Sequence, residues 1–115
     1  MKKLLLVIGL ILLSYQSVYA ESGNEFVQKW QEMKKSEAGQ SFNGFSAGVY
    51  AGYVNGISDA GEGLYFTIPK GSTYGQICSV VGKWIDDHPE RWADDSAIIV
   101  LAALKETFPL QKKRK

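Results

Sequence analysis

Glycine recurs at every fourth position in one stretch of the chain, and this spacing constrains the fold more than any other feature. The stretch reads SFNGFSAGVYAGYVNGIS, with glycines at positions 44, 48, 52 and 56. Its Asn43-Gly44 and Asn55-Gly56 pairs are typical of β-hairpin turns. However, large apolar residues recur three or four positions apart, at 42, 45, 49, 53 and 57. A helix produces this period, whereas a strand alternates with a period of two, so we predict a helix over residues 42–60.

The same glycines would weaken that helix unless something packs against them. Glycine inside a helix costs up to about 1 kcal/mol relative to alanine, and four glycines would prevent an isolated helix from forming. We therefore expect another backbone to approach the glycine row closely, from either the last helix of the chain or a second subunit. The small residues that could face the row from the last helix are Ala97, Ala102 and Ala103.

Three further helices are predicted around this segment. Apolar residues recur at helical spacing over 24–37, 73–87 and 92–107. Thr73 and Gln76 form the T-x-x-Q pattern of a capping box, and Pro89 disfavours a helical residue before it. The glycine-rich segment GEGLYFTIPKGS, residues 61–72, is typical of a loop. The predicted fold is an all-α, small single-domain bundle of about four helices with one longer loop.

The first 20 residues predict export. A basic start is followed by ten apolar residues, Leu4–Leu13, and by a more polar stretch that ends at Ala20. This is the pattern of a signal peptide that is cut after Ala20. The alternative, an uncleaved membrane anchor, needs about 20 apolar residues. We predict a periplasmic protein without stable membrane insertion after cleavage: residues 1–20 are the signal peptide, 21–111 a helical domain and 112–115 a basic tail.

The charge distribution argues against a nucleic-acid partner. Without the leader and the tail, seven basic residues stand against twelve acidic ones, so the domain carries a net charge of −5. Nucleic-acid-binding domains carry basic patches instead. The tail Lys112-Lys113-Arg114-Lys115 is either a solvated terminus or a contact for an anionic lipid or an acidic partner.

Few residues suggest catalysis. Cys78 lies on one predicted helix and His88 at its end, ten positions apart, which is about 15 Å at 1.5 Å per residue and too far for a catalytic dyad. As the only cysteine, Cys78 is either buried or bridges two chains. The sequence shows no metal-ligand spacing, phosphate-binding loop or nucleophile motif. We therefore predict a binding protein rather than an enzyme, with no catalytic residues, no metal and no cofactor.

Four sequence elements occur in a characteristic order: AGYVNGISDA, FTIPKGSTYGQ, VVGKWIDDHPERW and LAALKETFP. Together they resemble the type VI secretion immunity proteins of the Rap/Tai group over about residues 45–110. The resemblance implies a compact all-helical fold, often a homodimer, that binds and blocks a peptidoglycan amidase effector delivered by another cell. We interpret the shared residues as structural, and they are Gly52, Tyr53, Gly56, Pro69, Gly71, Gln76, His88, Pro89, Phe108 and Pro109.

The chain departs from this group in its cysteines. Similar proteins often carry cysteine at the places that here hold Tyr50, Thr67 and Leu110. Disulfide support at those places is therefore missing from this chain.

The loop at residues 61–72 is the predicted partner-binding surface. An inhibitor must exclude substrate from a hydrolase cleft, and Tyr65 and Phe66 are aromatic anchors of the type that dominates interfaces. Glu62 and Lys70 are charged residues in the same loop. A shared fold does not establish a shared function, so a second interpretation stays open: an envelope structural or stress-related protein with no toxin partner.

Overall fold

Four α-helices form the fold over residues 21–112. The computed structural model describes residues 2–3 and 21–112. Within the second range the helices are α1 (Gly23–Glu37), α2 (Gly44–Gly61), α3 (Tyr74–Asp87) and α4 (Ser96–Thr107), and a short 3-10 helix, Pro89–Arg91, joins α3 to α4. The prediction of an all-α fold is confirmed.

The structure bears on only part of the predicted domain organisation. The predicted signal peptide, residues 1–20, lies outside the described residues apart from positions 2 and 3, and so does the tail beyond Lys112. Among the residues that are described, no helix is both long enough and apolar enough to cross a bilayer.

Local capping explains where α2 and α3 begin. The Asn43 side chain accepts a hydrogen bond from the Ser46 backbone N–H at 3.1 Å, so this Asn-Gly pair starts a helix instead of a hairpin. At α3, the Thr73 hydroxyl accepts from the Gln76 N–H at 3.1 Å. The Gln76 side chain in turn accepts from the Thr73 N–H at 2.9 Å. This reciprocal pair is the predicted capping box.

The last helix is shorter than predicted because tertiary contacts hold its expected first turn. It begins at Ser96 rather than at residue 92. The Gly23 N–H donates to the Asp94 carbonyl at 2.8 Å, and the Ser96 N–H donates to the Glu21 carbonyl at 3.3 Å. Asp95 is extended between these two bonds, with φ −62° and ψ 144°. The N-terminal segment therefore pairs with this stretch as a short antiparallel bridge, and α4 starts only after it.

The core lies between the helices and takes one aromatic side chain from the loop. Every helix contributes side chains that are completely excluded from solvent, for example Phe26, Tyr50, Val81 and Leu104. The Tyr50 hydroxyl donates to the Cys78 carbonyl at 2.7 Å, which offsets the cost of burying a polar group. Phe66, from the loop, is also completely buried. The loop is thus attached to the domain through its own aromatic residue.

The glycine row of α2 faces open space. A Cβ atom built at Gly48, Gly52 or Gly56 has no neighbouring atom within 4 Å, and the Cβ at Gly44 comes no closer than 3.8 Å to the Phe42 ring. The expected close contact with the last helix is therefore wrong. The packed face of α2 is another one, formed by Ala47, Tyr50, Val54 and Ser58.

Candidate functional site

The loop at residues 61–72 is held in a tight turn by its own backbone. The Gly63 N–H donates to the Phe66 carbonyl at 2.9 Å, and the Leu64 N–H donates to the Gly61 carbonyl at 2.9 Å. Gly63 has a φ of +79°, a left-handed conformation that favours glycine. The turn therefore has a defined shape. We call its two exposed large residues, Leu64 and Tyr65, the loop tip.

The loop tip and Phe66 have opposite environments. Leu64 is 67% exposed and Tyr65 is 55% exposed, whereas Phe66 is completely buried. The Phe66 ring packs on Gly61, where an added Cβ would lie 2.7 Å from two ring atoms. The prediction that Phe66 contacts a partner is therefore corrected: its ring anchors the loop to the core. Of the two predicted aromatic anchors, only Tyr65 lies at the surface.

The two charged residues predicted for this surface belong to different turns. The Glu62 carboxylate accepts a hydrogen bond from the Ile68 backbone N–H at 2.8 Å. Glu62 therefore stabilises the turn that carries the loop tip. Lys70 is exposed between Pro69 and Gly71, and Gly71 has a φ of +87°. Lys70 therefore belongs to the turn that leads into α3.

The C-terminal segment, residues 108–112, pairs with the second half of the loop. Phe66 and Pro109 form an antiparallel bridge. The Thr67 N–H donates to the Phe108 carbonyl at 3.1 Å, and the Gln111 N–H donates to the Thr67 hydroxyl oxygen at 2.8 Å. Two segments that are about 40 residues apart in the sequence thus form one surface.

Leu110 is a candidate contact residue that the sequence analysis did not select. It directly follows Pro109, which is bridged to Phe66 of the loop, and it is 47% exposed. A groove of about 490 Å³ between the segments is lined by Glu62, Gly63, Thr67, Leu110, Gln111 and Lys112. One signal was present in the sequence: Leu110 follows the final Phe-Pro, at a place where similar proteins often carry cysteine.

Of the residues shared with the Rap/Tai group, three lie within α2 and the others lie in the loop or at the ends of helices. The His88 ring stacks on Trp84 with centroids 4.0 Å apart, and its Nδ1 lies 2.7 Å from the Trp84 carbonyl oxygen. Because a carbonyl only accepts, Nδ1 carries the proton. Pro89 opens the 3-10 helix, and the Tyr53 ring lies 5.2 Å from that of Phe26. These positions are consistent with a scaffold role.

Cys78 lies in the core, away from any candidate chemistry. It is 3% exposed, and its thiol donates to the Asn55 side-chain oxygen at 3.7 Å. Burial raises the pKa of Cys78 to about 11, which keeps the thiol protonated and weakly reactive. A bridge between two chains would require this thiol to become exposed. Within the described ranges, no group of three or more His, Cys, Asp or Glu residues is placed to hold a metal ion.

The fold and the loop define a small all-helical domain that presents a well-ordered, partly apolar surface. A family model described as Rap1a immunity proteins matches residues 22–110. The chain therefore belongs to the Rap1a immunity protein family, in agreement with its resemblance to the Rap/Tai group. Comparisons with curated proteins and with solved structures found no match. The family indicates immunity to a type VI secreted effector, which implies binding to that effector.

Proposed function

We propose that the chain is exported to the periplasm, binds a peptidoglycan amidase delivered by type VI secretion and occludes the active site of that enzyme. The observation that carries this proposal is the family match over residues 22–110. Export rests on the leader sequence, and the amidase target rests on the Rap/Tai resemblance.

The loop tip is the part of the described surface best suited to enter a hydrolase cleft. It presents Leu64 and Tyr65 on a turn that backbone hydrogen bonds already order. Because the turn is ordered before binding, little conformational entropy is lost when the partner arrives. Tyrosine is also enriched among the few side chains that supply most of the binding energy at interfaces. Insertion of the tip would exclude peptidoglycan sterically, without chemistry by this chain.

The acidic domain favours encounter with a basic enzyme. Its net charge is −5 without the tail, and an enzyme that binds the anionic cell wall would carry the opposite charge. Complementary charge raises the association rate, and salt screens this effect. We expect the association rate to fall as the salt concentration rises, while the dissociation rate changes little.

The test uses the mature chain, residues 21–115, and a candidate amidase effector, sought first among the genes that neighbour its own. The readouts are digestion of purified peptidoglycan and the dissociation constant from calorimetry. Tyr65→Ala should weaken binding by about 2 kcal/mol, or roughly thirtyfold, and restore digestion. Ile98→Ala is the matched control, since Ile98 is a 49% exposed apolar residue on α4, and it should change neither readout.

Two outcomes would contradict parts of this proposal. If inhibition survived the double substitution of Leu64→Ala and Tyr65→Ala, the loop tip would not be the plug. If the unaltered chain left the amidase fully active, the immunity function itself would be overturned, and the envelope interpretation would be favoured.

Export has its own test, which is N-terminal sequencing of the chain recovered from the periplasm. A cut after Ala20 leaves Glu21 as the first residue. Protein that stays in the cytoplasm and still begins at Met1 would contradict export.

We also propose that two copies pair through the glycine face of α2, formed by Gly44, Gly48, Gly52 and Gly56. No charged residue occurs between Gly44 and Ser58, and Phe45 on this helix is 80% exposed. A close contact between two copies would offset the cost of these glycines. Gly52→Leu should give a stable monomer in sedimentation equilibrium, because leucine favours the helix but blocks the approach. An unaltered chain that stays monomeric at high concentration would contradict the pairing.

A further inference from the structure

The C-terminal segment, residues 108–112, lies beside the loop that carries the loop tip. We infer that the C-terminal segment forms half of the partner-binding surface and supplies Leu110 as a contact. This inference rests on the proposed function, because it adds a second part to the surface that the loop tip begins. It also assigns Thr67 as a positioning residue, which acts on the partner only through the shape of the loop.

Thr67 ties the loop to the C-terminal segment at two points. Its N–H donates to the Phe108 carbonyl at 3.1 Å, and its hydroxyl oxygen accepts from the Gln111 N–H at 2.8 Å. The neighbouring Phe66 ring is completely buried, so the core holds the loop at the same place. The loop tip therefore cannot change its orientation without breaking these bonds or moving the C-terminal segment.

Three large exposed apolar side chains lie on the two paired segments. Leu64, Tyr65 and Leu110 are 67%, 55% and 47% exposed. Clustered apolar surface of this kind marks interaction sites. Tyr65 and Leu110 directly adjoin the bridged residues Phe66 and Pro109, so one partner would cover both side chains together.

The groove between the segments fits an apolar side chain of the effector with one carboxylate beside it. Its volume is about 490 Å³, and Leu110 and Thr67 are among its lining residues. Lys112 is exposed in the same lining, and three more basic residues follow it in the sequence. Glu62, the acidic lining residue, keeps its charge while it accepts the Ile68 N–H. The groove therefore offers a partner one basic and one acidic group, and Lys112 would pair with an acidic residue on the effector.

The positioning role is tested on the mature chain alone by amide hydrogen exchange. Thr67→Val keeps the side-chain shape but removes the acceptor, so the Gln111 and Gly63 amides should exchange about tenfold faster. Thr67→Ser should restore slow exchange, because it restores the hydroxyl.

The matched control for this experiment is Ser72→Ala. It removes a hydroxyl hydrogen bond of the same loop, to the Pro69 carbonyl at 2.8 Å, which does not involve the C-terminal segment. The Gln111 and Gly63 amides should keep their exchange rates. Unchanged exchange in Thr67→Val would overturn the positioning role.

The contact role is tested by binding of the same candidate amidase effector. Leu110→Ala should weaken binding about tenfold while leaving the melting temperature unchanged, because Leu110 is half exposed. Lys112→Glu should lower the association rate most strongly at low salt. Ile98→Ala again serves as the exposed apolar control.

The two proposals fail in distinguishable ways. If Tyr65→Ala weakens binding and Leu110→Ala does not, the C-terminal segment is outside the surface, while the proposed function stands. If the effector does not bind the unaltered chain, the proposed function fails, and this inference fails with it. Weaker binding in both variants, with Thr67→Val weakened and Thr67→Ser restored, supports a surface made of two segments.

Discussion

Two sets of glycines show how differently the same residue is used in this chain. In the packed set, an added Cβ would lie closer than 3 Å to a neighbouring atom, and its members are Gly23, Gly61 and Gly82. In the open set, which consists of helical glycines, the added Cβ would meet nothing within 4 Å, and its members are Gly48, Gly52 and Gly56. Only the open set has regular spacing. The spacing therefore identified the helix but not its buried face.

The packed glycines let distant parts of the chain approach one another. Gly82 lies against the Trp30 ring, whose N–H donates to Asp86 at 3.1 Å, so α1 and α3 meet there. Gly23 lies against the carbonyl oxygens of Trp92 and Asp94, where the N-terminal segment meets the start of α4. The open glycines make no comparable contact within the domain. They lower the stability of α2, and a contact that offsets this loss would have to come from outside the domain.

The largest effect that separates the two sets is expected at Gly23. In Gly23→Ala the new Cβ would collide with two backbone carbonyl oxygens, which cannot rotate away. We expect a loss of about 3 kcal/mol in the free energy of unfolding, measured by urea denaturation of the mature chain. Gly48→Ala is the control from the open set. Equal stability of the two variants would contradict the division into a packed and an open set.

A smaller loss is expected at Gly82, because its neighbour is a side chain. In Gly82→Ala the Cβ would collide with the Trp30 ring, and the better helix propensity of alanine returns up to about 1 kcal/mol. We expect a net loss of about 1–2 kcal/mol. Trp30→Leu should make room for the added methyl group. The loss in the free energy of unfolding of the double variant should therefore be smaller than the sum of the two single losses. If the two losses were strictly additive, the Trp30 ring would not be what opposes the added Cβ at position 82.

The buried thiol of Cys78 predicts that the stability of the fold depends on pH. Because burial raises the pKa of Cys78 to about 11, the folded chain holds this proton more tightly than the unfolded chain, whose thiol pKa is about 8.5–9. The stabilisation is complete below pH 8.5 and is lost as the pH rises toward 11. We expect a fall of about 1 kcal/mol between pH 9 and pH 10. Cys78→Ala should show a shallower fall; an identical slope would assign the effect to other groups.

The smallest effect, with the opposite sign, is expected in the open set. Gly52→Ala should raise the free energy of unfolding of the monomer by up to about 1 kcal/mol, because the added Cβ meets nothing. Thermal denaturation at low protein concentration measures this gain. If Gly52 packs against a second copy, the gain should shrink as concentration rises. A loss at low concentration would show that the open face is packed within the domain.

Much of the secondary structure was predictable because its causes are local. The capping box at Thr73 and Gln76 and the cap at Asn43 are contacts within four residues, so a sequence displays them directly. The start of α4 was not predictable in the same way. It depends on Glu21 and Gly23, about 70 residues earlier in the chain.

The same difference between local and long-range causes applies to the candidate surface. The sequence alone determined that a glycine-rich loop at 61–72 carries Tyr65, and that α2 is a helix, because residue type and spacing act over a few positions. Only the tertiary structure decided that Phe66 is buried, that the C-terminal segment pairs with the loop and that the glycine face is open. Each of these depends on which distant segments pack together, and the packing of the whole core selects those pairs.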